Sequence, residues 1–163
     1  MAESNRDRII PSLLDRLTDE GPGAPGRGVS VTVSELRRSV LRDLTWLFNS
    51  TNLASSVDLS AHQLAAQSTL NYGLAALAGN TVAGLEPAEI ERILKEAILR
   101  FEPRILPHTL AVRSIPAVDP MGHHNVMTLE ITGELWSQPY PVELLIKTDM
   151  DLESGEIRLA EGR

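Results

Sequence analysis

The chain has 163 residues with a formal charge of −7 and no cysteine. That length fits one domain able to bury roughly 70% of its unfolded surface, so no disulfide or metal is needed to fold it. The absent cysteines exclude disulfides and thiolate metal sites, and the negative balance opposes nucleic-acid or anionic-membrane binding through bulk electrostatics.

The N-terminus, Met1 to Arg8, is charged and has no apolar signal-peptide region, and no apolar run approaches a membrane span, so the expectation is a soluble cytoplasmic protein. Ile9, Ile10, Leu13, Leu14 and Leu17 recur at helical spacing, and Pro11 suits a first helical position. A short helix is expected over 11–18. Its apolar stripe must dock on the domain body or on another chain, which makes residues 1–20 a candidate docking helix through Leu13, Leu14 and Leu17. Residues 21–31 read as a Gly/Pro linker. They spell GxGxxG at Gly21, Gly23 and Gly26, but a helix precedes it and two prolines interrupt it, where a dinucleotide fingerprint needs a strand before and a helix after.

The remainder, 32–163, reads as a single α+β domain. Thr32 and Glu35 form a capping-box pattern, and Leu36, Val40, Leu44, Leu47 and Phe48 mark one face of a helix ending near Asn49. Arg37, Arg38, Arg42, Asp43 and Trp46 lie off that stripe. A loop follows over 52–58. Ser60 with Gln63 repeats the capping signature for a helix ending near Leu70, and Asn71-Tyr72-Gly73 supplies turn chemistry. From Pro87, the residues Ile90, Ile93, Leu94, Ala97, Ile98 and Phe101 make the best amphipathic stripe. Its polar face offers Glu91–Lys95 and Glu96–Arg100 at supportive spacing. Pro103 removes a donor and disfavours the helical conformation at Glu102, so the helix must stop there.

Beyond that joint the period changes from helix to strand. Strands are expected over 110–115, 127–135, 142–150 and 157–159, joined by short turns into an antiparallel meander. Helices first and strands second give α+β, with N-terminal helices packed on a C-terminal meander.

The candidate chemistry centres on Glu102, Pro103 and Arg104. Two opposite charges sit between Phe101 and Ile105, two residues apart in an extended segment, and so point to one side. Spacing alone allows a salt bridge, an interface or an active site. A catalytic Glu102 would need a second carboxylate such as Asp119 or Glu130 at glycosidase distance. His108, His123 and His124 have no helical metal-ligand spacing. Asp149, Asp151 and Glu153 open like a calcium loop, but Gly155 falls one place late and Met150 and Leu152 continue a strand, so an acidic hairpin end is expected. No metal or cofactor is expected.

Several stretches resemble one family. They are Pro11-Ser12-Leu13-Leu14-Asp15-Arg16-Leu17, Ser39-Val40-Leu41-Arg42-Asp43-Leu44-Thr45-Trp46-Leu47-Phe48-Asn49, Ser68-Thr69-Leu70-Asn71-Tyr72-Gly73-Leu74, Arg100-Phe101-Glu102-Pro103-Arg104 and Gly133-Glu134-Leu135-Trp136-Ser137-Gln138-Pro139. In order and combination they are similar to the TssE family of baseplate subunits of the bacterial type VI secretion system, related to a wedge protein of contractile phage tails. Phe48 stands for the usual Leu, Thr69 for Val, and Ala76 where Asp is common. The resemblance implies a cytoplasmic structural subunit at a baseplate docked on the inner membrane complex. It implies TssF, TssG and TssK as partners, and help in starting the TssB–TssC sheath on the Hcp tube, with no nucleic acid and no membrane insertion. It also carries a "lysozyme-like" label, and with it the alternative of a peptidoglycan glycosidase using Glu102 as acid.

Overall fold

The computed structural model describes residues 13–18, 32–76, 86–115, 126–137 and 139–162. The expected linker 21–31, the start of the first helix, Asp119, His123 and His124 lie outside them. The first described element, α1 (Leu13–Thr18), is the C-terminal part of the expected first helix.

Helix α2 (Val33–Phe48) begins where the sequence places its cap. Glu35 N–H donates to the Thr32 hydroxyl, and Thr32 N–H donates back to the Glu35 carboxylate at 2.7 Å. The stripe Leu36, Val40, Leu44, Leu47 and Phe48 is buried throughout. The chain then makes two short excursions. A 3-10 turn at Leu53–Ser55 is capped by Asn52, and α3 (Gln63–Gln67) leads to a second turn at Thr69–Asn71. The Ser60–Gln63 capping box does not form. His62 holds the cap position of α3 without a side-chain bond, and Ser60 N–H donates instead to Asp58, whose short side chain closes a local turn. The helix also ends earlier than expected, because Ser68 is extended and its hydroxyl caps the following turn.

Asn71 and Gly73 have different jobs. Asn71 does not adopt positive φ; it is buried, accepting from Ala54 N–H and donating to the Ala66 carbonyl. Gly73 sits at φ +109°, where a Cβ would lie 2.3 Å from the Ser50 carbonyl oxygen. That close approach lets 73–74 run beside 50–52, with Leu74 N–H to Ser50 C=O and Asn52 N–H to Leu74 C=O, both 2.8 Å.

Helix α4 (Pro87–Phe101) buries Ile90, Leu94, Ala97 and Ile98 and stops at Glu102. Its polar pairs differ from expectation. Arg92 bridges Glu89 and Glu96, Arg100 bonds the Ala66 carbonyl, and Glu91 leaves the helix surface to bond Ser114. Tertiary partners take Glu91 and Arg100, while Glu96 pairs with Arg92 at the same four-residue spacing on the helix.

Four strands follow: β1 (Ala111–Ile115), β2 (Val126–Leu135), β3 (Val142–Asp151) and β4 (Ile157–Glu161), antiparallel in sequence order. One face buries Val112, Leu129, Ile131, Leu135, Leu144, Ile146, Met150 and Ile157 against the stripes of α2 and α4 in one continuous core. The architecture is α+β, helices on one face of a meander, as expected. No helix among the described residues is long and apolar enough to cross a membrane.

Candidate functional site

The end of α4 feeds directly into the sheet. Ile105 bridges Leu135, Leu106 N–H donates to the Glu134 carbonyl at 2.8 Å, and Trp136 N–H donates to the Arg104 carbonyl at 2.7 Å. Residues 104–106 thus continue the ladder along the end of β2. Pro103 enforces the break, and the backbone on either side of it is pinned, by Ile98 through Glu102 N–H and by Trp136.

Within that joint Glu102 is 4% exposed and Pro103 is exposed. One Glu102 oxygen accepts from Arg104 Nε at 2.7 Å and from Arg104 N–H at 3.2 Å; the other accepts from Nη2 at 2.5 Å. The pairing of the two residues with each other is therefore a two-pronged fork. It does not stop there. Arg104 also donates to the Ser39 hydroxyl at 3.0 Å and to Asp43 at 2.5 Å, both on α2. The other Asp43 oxygen accepts from Arg42 Nε and Nη2 at 2.9 and 2.8 Å, and Arg42 in turn holds Asp15 of α1. Arg42 lies 5.0 Å over the Trp46 ring. Three carboxylates and two guanidiniums thus link α1, α2 and the joint.

The electrostatics follow from that packing. Burial disfavours the Arg104 cation, but hydrogen bonds and charge attraction from Glu102, then Asp43, outweigh it and raise its pKa above the ordinary arginine value. Arg42 is raised too, first by its bond to Asp15. Tyr72 donates to the Asp43 carbonyl at 3.3 Å and meets Phe101 edge-on at 5.2 Å. Burial, then the negative charges of Asp43 and Glu102, push its phenol upward.

Sequence reasoning found Glu102 and Arg104 but not Ser39 and Asp43. The available signal was their spacing: four apart on α2, they border the buried Val40–Leu44 stripe and so flank whatever packs there. The candidates for a second catalytic carboxylate are not brought to Glu102. Glu130 lies on β2 in register with Arg113 and Lys147, and Asp119 is outside the described residues. Both Glu102 oxygens are occupied and the residue is buried, so a sugar oxygen has no approach to it. His108 is exposed in a turn, and among the described residues no group of three His, Cys, Asp or Glu side chains could hold a metal ion. Asp151 does close the acidic hairpin end, accepting from Glu153 and Ser154 N–H at 2.8 and 3.0 Å, which lowers its pKa. In α1, Leu14 and Leu17 are 41% and 75% exposed, and nothing is described of the Leu13 side chain.

The arrangement is a polar joint in which Glu102, Arg104, Asp43 and Ser39 are bonded to one another. Its chemistry is that of alignment: it fixes the angle at which α4 enters the sheet and ties α2 to that angle. Comparisons with curated proteins and with solved structures give no match. The model of the family described as baseplate wedge protein gp25 matches residues 34–140, from the first turn of α2 through the joint to the bend before β3. The chain belongs to that baseplate wedge family, and with it has a phage-baseplate-like structural role among other baseplate components.

Proposed function

We propose that the chain is a structural baseplate component of a type VI secretion (contractile injection) system, helping to assemble the baseplate and to initiate sheath polymerisation. In this reading it is not an enzyme. It works in the cytoplasm at a baseplate docked on the inner membrane complex, beside TssF, TssG and TssK, and meets the sheath proteins TssB and TssC. Residues 1–20 act as a docking helix through Leu13, Leu14 and Leu17, carried on the linker 21–31 ahead of the single domain 32–163. The observation that carries the reading is the joint itself: a family-matched segment whose charged residues are spent on holding helices to sheet, the requirement of a rigid building block.

The test is co-purification of the full chain with the other baseplate subunits, comparing wild type with Glu102→Ala and with residues 1–20 removed. Glu102→Ala is expected to lose subunit binding and sheath assembly, and the truncation to weaken binding. A folded Glu102→Ala protein that assembles normally removes the role given to the joint. Purified protein is expected to leave peptidoglycan intact from acid to neutral pH; cleavage abolished by Glu102→Gln would restore the glycosidase reading.

A further inference from the structure

The sheet has a second face. Helices α2 and α4 cover one side, and no described element covers the other. On that outer face the register sets side chains in rows. Arg113, Glu130 and Lys147 stand side by side across β1, β2 and β3, alternating in sign. Asp149 lies between Thr128, which donates to it at 2.8 Å, and Arg158. In these rows opposite charges face each other across the strands. The row at the far end does not: Glu134 stands directly opposite Glu143.

The ladder makes this the closest kind of pair. Ser114 N–H points away from β2, so the even-numbered β2 residues bond toward β1. Glu134 follows suit, its N–H going to Thr109 and its carbonyl taking Leu106 N–H. Glu134 and Glu143 are therefore a non-hydrogen-bonded pair, with Cβ atoms about 4.5–5.5 Å apart, a position where like charges repel. Neither carboxylate has an ion-pair partner among the described residues. Arg37 comes near but bonds the Glu143 backbone carbonyl at 2.8 Å and the Glu161 carboxylate at 3.6 Å. Next along the chain on Glu134's face stands Trp136, 53% exposed, and the bend before β3 carries a second exposed aromatic, Tyr140, 78% exposed.

We propose that this end of the outer face is the docking surface for an arginine-bearing segment of a partner protein, whose guanidinium bridges the Glu134 and Glu143 carboxylates beside Trp136. A planar fork answers two carboxylates across a strand pair and stacks on an aromatic ring; an ammonium does the first less well and the second less often. Phosphate-bearing partners are repelled by the same charges. The inference rests on the assembly reading only in taking the partner to be a protein.

The test titrates the full chain, by NMR, with a short Gly-Arg-Gly-Arg-Gly peptide and its lysine and glutamine counterparts. The arginine peptide is expected to shift the Trp136 indole N–H and the Glu134 and Glu143 amides, the lysine peptide less and the glutamine peptide not at all. Glu134→Gln with Glu143→Gln is expected to cut that affinity about tenfold while the melting temperature holds or rises. Unchanged affinity, or no binding by wild type, overturns the proposal. So does unfolding of the double variant, since that would mean the carboxylates already have partners within the fold. If the double variant keeps the peptide and still assembles while Glu102→Ala does not, this inference alone falls; if wild type joins no baseplate subunit, the assembly reading falls instead.

Discussion

The helix–sheet joint and the outer end of the sheet both bring carboxylates together, and they treat them in opposite ways. At the joint Glu102 and Asp43 converge on one guanidinium, and every polar atom of Glu102 has a partner inside the chain. At the outer end Glu134 and Glu143 face each other next to Trp136, with no ion-pair partner among the described residues. The two regions are joined through the backbone, since Arg104 and Leu106 hydrogen-bond to Trp136 and Glu134. Charge that the fold has satisfied itself carries rigidity. Charge that it leaves unsatisfied carries information for something else.

The largest effect should come from emptying the saturated region. Arg104→Ala leaves the Glu102 carboxyl buried and without its fork, and is expected to cost about 3 kcal/mol in urea unfolding, the low end for breaking a buried pair because Arg104 keeps some exposure. A loss below half that figure would erase the distinction between the two regions. Glu91 sharpens it as an intermediate case, a carboxylate satisfied by neutral donors: the Ser114 N–H and hydroxyl, each at 2.7 Å. Those bonds lower its pKa below the ordinary 4.5, first through the Ser114 backbone. The stability they contribute is present above 4.5 and is lost as pH falls through the folded value. Glu91→Gln should therefore lose about 1 kcal/mol at neutral pH and converge with wild type in acid, read from unfolding curves at several pH values. The smallest effect is on the unsatisfied side. Glu134→Gln should raise stability by about 0.5 kcal/mol, and by less in high salt.

Much of this plan is legible in the sequence, for reasons specific to each element. The stripe from Ile90 to Phe101 and the capping box at Thr32 are local patterns, and the long strands alternate clearly because one face is wet. Pro103 announces its break by covalent geometry. What was not legible depends on distant neighbours. Asp43 is 61 residues from Arg104 along the chain, and only packing brings them together. The Glu91–Lys95 and Glu96–Arg100 pairs were as well spaced as the bonds that formed; Ser114 and the Ala66 carbonyl, which no helical rule contains, took Glu91 and Arg100, and Glu96 went to Arg92 at the same spacing. The Ser60 cap failed for a local reason, because Asp58 offered a competing turn.

The strand edges hold one more consequence. Asn49, the residue that ends α2, donates to the Ile157 carbonyl and accepts Ile157 N–H, at 2.8 and 3.0 Å, so it stands where a neighbouring strand would hydrogen-bond to β4. Glu91 does the same for Ser114 on β1, and Arg37 takes the Glu143 carbonyl past the end of β4. A strand pairing across Ile157 or Ser114 must displace one of these side chains at that position. These side-chain bonds blunt both edges locally, setting a threshold against copies of the chain zipping together there.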